Sequence, residues 1–212
     1  GTPGARVRIR VINAGSDTAF RFAIGGHTLT ITHTDGFPVD PVEVDSVLIG
    51  MGERYDLQVT LDDGVFPVVA DAEGKQDRAF ALVRTAAGTA PASDVPVAEL
   101  GTGRVGTAAG LSATASVTLH QASPDRVVHL ALTGGMEAYD WGINGRRFDM
   151  NDPLRDAHAV SMGERVQLRI RNDTEMWHPF HLHGHTYQVE VVVEDDASNP
   201  DTALQKARRL VE

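Results

Sequence analysis

The chain has 212 residues and contains no cysteine. It therefore holds no disulfide and no thiolate metal ligand, and a complete blue-copper site, which requires a cysteine, is excluded within it. It also lacks a long apolar run, so no transmembrane helix is predicted, and no signal peptide is visible after Gly1. Basic residues are in the minority, 19 against 29 acidic ones. The resulting net charge of −10 repels phosphate backbones and disfavours a nucleic-acid partner.

Hydrophobic residues make up 42% of the chain, enough for a sizeable core. The 21 glycines and 10 prolines punctuate many short runs of valine, isoleucine and leucine. Short apolar runs bounded by turn-forming residues are typical of β-structure. The composition therefore favours an all-β protein with frequent turns.

An internal repeat organises the chain. Residues 4–13 and 163–172 share the pattern G-x-R-V-x-[IL]-R-[VI]-x-N, and a second block, residues 26–31 and 184–189, follows in the same order. In the first pair of segments apolar residues alternate with polar ones, which predicts a strand with one buried face. Two matched strands joined by similar connections indicate a duplicated β-domain. Chance similarity of two strands is the alternative.

Further strands are predicted where short apolar runs recur, at residues 28–32, 55–61, 65–70, 79–84, 116–120, 127–132, 166–171 and 186–193. Turns are predicted at Asp35-Gly36 and at Asp62-Asp63-Gly64. Residues 85–110, a run rich in Ala, Gly, Thr and Pro, are predicted as a linker. Residues 201–210 are expected to form a short helix or a poorly ordered end. Residues 136–141 are predicted as a core or turn segment, with a loop near a substrate-facing surface as the alternative.

Four of the nine histidines fall within eight residues, at His178, His181, His183 and His185. Imidazole is a ligand for copper, zinc, iron and nickel, so the ligand type alone does not fix the metal. On an extended strand, residues two apart face the same side, so His181 and His183 can present two imidazoles together. His178 has the other parity and is expected to reach a second metal. A solvated strand rich in histidine is the alternative.

The repeat separates ligands from structural histidines. The first copy has Phe20, Ala23 and Gly25 where the second has the three metal-binding candidates, yet it keeps a histidine, His27, opposite His185. A histidine retained in a copy without ligands is expected to be structural, so three ligands are predicted rather than four. The isolated histidines are also expected to be structural: His27, His33, His120, His129 and His158.

The segment from His178 to His185 resembles one of the copper motifs of the multicopper oxidases, the family of laccases and copper-efflux oxidases. Residues 35–39 and 52–56 resemble the second cupredoxin domain of that family, and residues 143–148 and 163–172 resemble the third. The resemblance implies an all-β fold of two cupredoxin-like Greek-key β-sandwich domains, both expected to be incomplete. Residues 1–85 would form the copper-free second domain, truncated at its N-terminus, and 86–110 a linker. Residues 111–212 would form the copper-binding third domain, truncated at its C-terminus.

The same resemblance implies copper as the cofactor. By position, His178 resembles the ligand of the type 1 copper, His181 a type 2 ligand and His183 a ligand of the type 3 pair. The implied activity is one-electron oxidation of phenols, amines or metal ions, coupled to reduction of dioxygen to water. The implied partners are dioxygen, a small reducing substrate, and a first domain and C-terminal segment of the same chain. The implied location is the periplasm or the outside of the cell.

The chain also departs from the family pattern. The two His-x-His motifs of the first domain and the final His-Cys-His motif are absent from it. It would supply only two of the histidines of the trinuclear site, so we expect no oxidase activity from this chain alone and weak copper binding at most. The alternatives are a copper-free structural or cell-division relative, a copper nitrite reductase and a non-oxidase copper carrier.

Overall fold

The computed structural model describes residues 1–155, 159–193 and 205–211, with the backbone alone for residues 190–193 and 205–211. It divides into two compact units, Gly1–Thr118 and Leu119–Glu212, here called the first and the second unit. Strands dominate both, and the described residues form one short α-helix and one 3₁₀ turn. The prediction of an all-β chain is confirmed.

The first unit contains two sheets. One has four strands in the order β1-β6-β3-β4, and the other has five in the order β8-β7-β2-β5-β9. Their apolar faces share a core in which Ile24, Leu29, Ile31 and Leu57 are fully buried. The strands are β1 (Arg6–Ile12), β2 (Phe20–Ile24), β3 (Leu29–Thr34), β4 (Phe37–Val44), β5 (Ser46–Ile49), β6 (Arg54–Thr60), β7 (Val65–Ala72), β8 (Arg78–Arg84) and β9 (Val105–Gly106).

The alternation in the first repeat segment is visible in β1. Its apolar residues Val7, Ile9 and Val11 pack against the core, and its arginines are exposed. Arg8 pairs with Asp56 of the neighbouring strand β6. The predicted turn at Asp35-Gly36 joins β3 to β4, with φ angles of 50° and 90° that suit a tight hairpin. Strand β4 was not predicted; it contains two prolines, which are uncommon inside strands.

The run predicted as a linker is built into the first unit. It contributes α1 (Ala98–Gly101), β9, which pairs in parallel with β5, and a 3₁₀ turn (Ala108–Gly110). The Arg104 side chain is held by the Asp45 carboxylate, and the Arg78 side chain donates to the Val95 carbonyl. The boundary between the two units lies after Thr118, beyond this run. Apolar residues of the run also pack into the unit, since Val97 is buried against Ala23 and Val69.

The second unit contains one five-stranded sheet in the order β11-β10-β12-β14-β13. Its small core consists of Val128, Leu130, Val166 and Ile170. Strands β10 and β12 pair in parallel, while β14 lies antiparallel between β12 and β13. The strands are β10 (Arg126–Thr133), β11 (Gly142–Ile143), β12 (Val166–Asn172), β13 (Tyr187–Val193) and β14 (Gln205–Val211).

Two predictions of local structure were wrong. Residues 116–120 form no strand, because the backbone N–H groups of Val117 and Thr118 both turn back to the Thr114 carbonyl. Within the predicted tail, residues 205–211 form β14 rather than a helix, since their backbone pairs with both neighbouring strands. No helix among the described residues is long and apolar enough to cross a membrane.

Candidate metal centre

The histidine cluster lies in residues 173–186, the connection from β12 to β13, here called the histidine loop. Apart from turns this loop has no regular structure, so the expected extended strand is not formed there. Exposure nevertheless alternates from residue 172 to residue 182, with even-numbered residues partly buried and odd-numbered ones exposed. His178 therefore lies on the inner side, and His181 and His183 on the outer side. The parity argument gave the correct sides without the strand.

Two contacts hold the middle of the histidine loop. The Phe180 side chain packs against the core of the second unit, beside strands β10 and β12. The Tyr187 hydroxyl donates a hydrogen bond of 3.0 Å to the Phe180 carbonyl oxygen. In sequence, Phe180 lies between His178 on the inner side and His181 on the outer side. These contacts therefore hold the loop in place between the two histidines.

His181 and His183 bring two imidazoles together on the exposed side. Their ring centroids are 4.7 Å apart and the ring planes lie at 80°. Within the described part of the chain, no hydrogen bond to either ring is formed. The ring nitrogens are therefore available as donors to a metal, as they would be in a site that a further set of ligands completes.

His178 has different surroundings. It is half-buried, and its Nε2 atom lies 2.7 Å from the Thr174 hydroxyl oxygen. The Trp141 ring packs edge-on against it, with centroids 5.1 Å apart and planes at 69°. Burial lowers the pKa of His178 below its ordinary value, because the charged ring loses solvation. The neutral form that this favours is the form that binds metals.

The repeat comparison of His27 and His185 has a structural counterpart. His27 is buried, with Nδ1 3.0 Å from the Gly25 carbonyl oxygen and Nε2 accepting from the Asp62 backbone N–H. His185 repeats the first contact, with Nδ1 3.4 Å from the His183 carbonyl oxygen. The glycine before each histidine has the same φ of 76°. The prediction that His27 is structural is confirmed, and His185 sits in the same turn, although it is exposed.

The remaining histidines lie elsewhere. His33 places Nδ1 3.1 Å from the Thr32 hydroxyl and 3.9 Å from the Asp56 carboxylate. His120 and His129 are exposed, and His158 lies outside the described residues.

The described residues do not form a complete metal site. Among them, no group of three or more His, Cys, Asp or Glu side chains is arranged to hold an ion. The donor chemistry of His181 and His183 fits copper in part: two imidazoles on one exposed side are a portion of a ligand set. His178 offers one further imidazole on the other side of the same loop.

Sequence reasoning did not assign a role to Thr174 or Tyr187, and it placed Trp141 in a core or turn segment, with a loop near a substrate-facing surface as the alternative. The repeat contained a signal for the Thr174 contact. Two residues after the repeat asparagine, the copy with His178 has Thr174, whereas the copy with Phe20 in place of His178 has Gly15. Trp141 comes from a segment far from the histidine loop in sequence, so periodicity and spacing carry no signal for its contact.

Comparison with known proteins decides the family. Two family models, both described as multicopper oxidase, match residues 1–89 and 121–209. The chain belongs to the multicopper oxidase family. It is 46% identical to "Multicopper oxidase MmcO" of Mycobacterium tuberculosis over 213 residues, which cover 99% of this chain and 41% of that relative. It is 28% identical to "Laccase-2" of Botryotinia fuckeliana, over 88% of this chain and 37% of that protein.

The structural comparison agrees with the cupredoxin-like β-sandwich predicted for this multicopper oxidase chain. The crystal structure of Fet3p, described as a multicopper oxidase that functions in iron import, superposes with a TM-score of 0.74. The match covers 100% of this chain and 51% of that one at 16% identity, so it shows the fold alone. The chain spans about two fifths of the length of the two curated relatives.

Proposed function

We propose that this chain is the second and third cupredoxin domains of a copper-dependent oxidoreductase. The parent enzyme would couple one-electron oxidation of phenols, amines or metal ions to reduction of dioxygen to water. The observation that carries the proposal is the pairing of the His181 and His183 rings, 4.7 Å apart on the exposed side of the histidine loop. The two family-model matches, at residues 1–89 and 121–209, support the division into domains.

Copper, when bound, supplies the one-electron redox chemistry of such an enzyme. His178 is the proposed ligand of the type 1 copper, His181 of the type 2 copper and His183 of the type 3 pair. The lower exposure of His178 supports this division, because ligands of two separate centres are expected to lie on different sides of the loop. Phe180, packed into the core, keeps the two sides apart.

The chain contains neither a cysteine nor a third imidazole beside His181 and His183 among the described residues. We therefore propose that the remaining ligands come from a first domain and a C-terminal segment of the parent, and that this chain alone has no oxidase activity. We further propose that the parent works in the periplasm or outside the cell.

Copper titration of the 212-residue chain tests the ligand assignment. Cu²⁺ is added while the side-chain signals of all nine histidines are followed by NMR, since a paramagnetic ion broadens the rings that it binds. We expect weak binding that broadens His181 and His183 first. His181→Ala and His183→Ala should each weaken it roughly tenfold or more, because one of two donors is lost. His185→Ala, the matched control in the same loop, should leave it unchanged.

Two results would contradict the proposal. Broadening that survives both substitutions would show that copper binds elsewhere, and absence of any histidine-dependent binding would favour a copper-free structural or cell-division relative. Activity is tested in a chimera in which this chain replaces the matching region of the Mycobacterium tuberculosis relative. We expect copper-dependent oxygen uptake with a phenolic reductant, lost in the His181→Ala chimera, and none from the 212-residue chain alone.

A further inference from the structure

Both repeats contain the same asparagine turn after their first strand. In the first unit, the Asn13 Oδ1 atom accepts from the Gly15 backbone N–H at 2.8 Å, and its Nδ2 donates to backbone carbonyls. In the second unit, Asn172 Oδ1 accepts from the Thr174 backbone N–H at 3.0 Å, and Nδ2 donates to the Met176 carbonyl at 2.7 Å. Both copies of the repeat therefore form this turn, whether or not a candidate metal ligand follows it.

The two turns differ at the residue two positions after the asparagine. The first unit has glycine there, with Phe20 at the position of His178. The second unit has Thr174, whose hydroxyl oxygen lies 2.8 Å from Asn172 Oδ1 and 2.7 Å from His178 Nε2. The hydroxyl thus bridges the scaffold asparagine and the histidine, and it is present in the copy that carries the histidine.

Counting protons on this bridge assigns the His178 tautomer. A threonine hydroxyl has one proton to donate. Asn172 Oδ1 can only accept, and the Met176 carbonyl, 3.3 Å from the hydroxyl, can only accept as well. The Met176 backbone N–H, 3.2 Å from the hydroxyl oxygen, donates to one of its two lone pairs. Two oxygen atoms 2.8 Å apart repel each other unless a proton lies between them, so the hydroxyl donates to Asn172 Oδ1 and its second lone pair accepts from His178. His178 then carries its proton on Nε2, and the lone pair on Nδ1 is left free.

We propose that Thr174 is a positioning residue for His178: its hydroxyl holds the ring in the Nε2–H form and orients Nδ1 toward a metal. The inference rests on the proposed function, in which His178 is a copper ligand. The Trp141 ring, edge-on at 5.1 Å, restricts the imidazole from a second direction. Hydrogen-bond partners of this kind fix the tautomer and orientation of metal-bound histidines, and their loss typically weakens metal binding by 10- to 100-fold.

The test uses the full 212-residue chain labelled with ¹⁵N, with Thr174→Val to remove the hydroxyl at constant shape and Thr174→Ser to retain it. Two-bond ¹H–¹⁵N spectra report which ring nitrogen is protonated, and the His178 Nε2–H proton is observed directly. We expect that proton to be protected from solvent exchange in the wild type and in Thr174→Ser, and to be lost to exchange in Thr174→Val. The Cu²⁺ concentration that broadens His178 should rise roughly tenfold in Thr174→Val and stay unchanged in Thr174→Ser.

Each outcome has a separate meaning. A Nε2–H proton that remains protected in Thr174→Val, or Nδ1 protonation in the wild type, would overturn the positioning role. If protection depends on the hydroxyl but copper does not broaden His178 in any variant, the ligand role of His178 in the proposed function fails, while the hydrogen bond itself stands. The signals of Val128 and Ile170 in the core of the second unit show that each variant is folded.

Discussion

Replacing His27 by alanine is expected to destabilise the first unit strongly without affecting copper binding. His27 is 5% exposed, and its ring makes two hydrogen bonds, to the Gly25 carbonyl and from the Asp62 backbone N–H. It also packs edge-on against Phe66, with ring centroids 4.5 Å apart. Alanine removes all three contacts and leaves the Asp62 N–H without its acceptor.

The size of the effect follows from these contacts. Each hydrogen bond contributes about 1 kcal/mol net, and an edge-to-face ring pair contributes about 1 kcal/mol more. The free energy of unfolding of the first unit should therefore fall by about 3 kcal/mol, a large part of the stability of an ordinary domain. With a urea slope of about 2 kcal/mol per molar, the midpoint should fall by about 1.5 M.

Urea denaturation followed by circular dichroism and by NMR signals of the first unit measures this shift. His185→Ala is the matched control, because His185 occupies the equivalent turn but is exposed, with a single contact of 3.4 Å. We expect it to change stability by less than about 0.5 kcal/mol. A His27→Ala variant that unfolds at the wild-type urea midpoint would refute the reasoning. Loss of the copper-dependent broadening of His181 in a variant whose second unit stays folded would refute it as well.

Two further predictions concern other contacts. Tyr187→Phe removes the donor to the carbonyl in the middle of the histidine loop, so the second unit should lose about 1 kcal/mol in urea denaturation and bind Cu²⁺ more weakly; unchanged stability and copper binding would contradict this. The Arg104 guanidinium, by hydrogen bonding and charge, holds the pKa of Asp45 below its ordinary value of 3.8. For an acid with a lowered pKa, the stabilisation is present above the ordinary value and is lost as the pH falls through the lower one. Protection of the Arg104 backbone N–H from hydrogen exchange, corrected for the intrinsic rate, should therefore fall in acid. Asp45→Asn should remove that pH dependence. The same pH dependence in the variant and the wild type would count against the ion pair.

Much of the fold was predictable because its signals are local. The alternation in residues 4–13 and the turn residues Asp35-Gly36 each specify structure through neighbours in sequence, and both predictions are confirmed. Strand β14 and the packing of residues 86–110 were missed for the opposite reason. Both depend on backbone pairing with strands far away in sequence, which leaves no mark in composition or periodicity.

The candidate site divides in the same way. The parity of His178 relative to His181 and His183 predicted the sides that they occupy, although the loop is not a strand. The partners of His178 were not predicted, because Trp141 reaches it through the tertiary fold and Thr174 looks like an ordinary turn residue. The repeat contained one further clue, the exchange of Gly15 for Thr174, whose meaning required the hydrogen-bond geometry.

The shared asparagine turn has a consequence for how such proteins diverge. The turn is closed by an asparagine and backbone groups, and the copy with Phe20, Ala23 and Gly25 forms it too. The imidazoles are therefore not needed to form this turn. We therefore expect mutations that replace them to leave the fold of the domain in place. Copies of one duplicated domain can therefore lose candidate metal ligands in single steps while keeping their architecture, and an unchanged β-sandwich does not show whether those ligands survive.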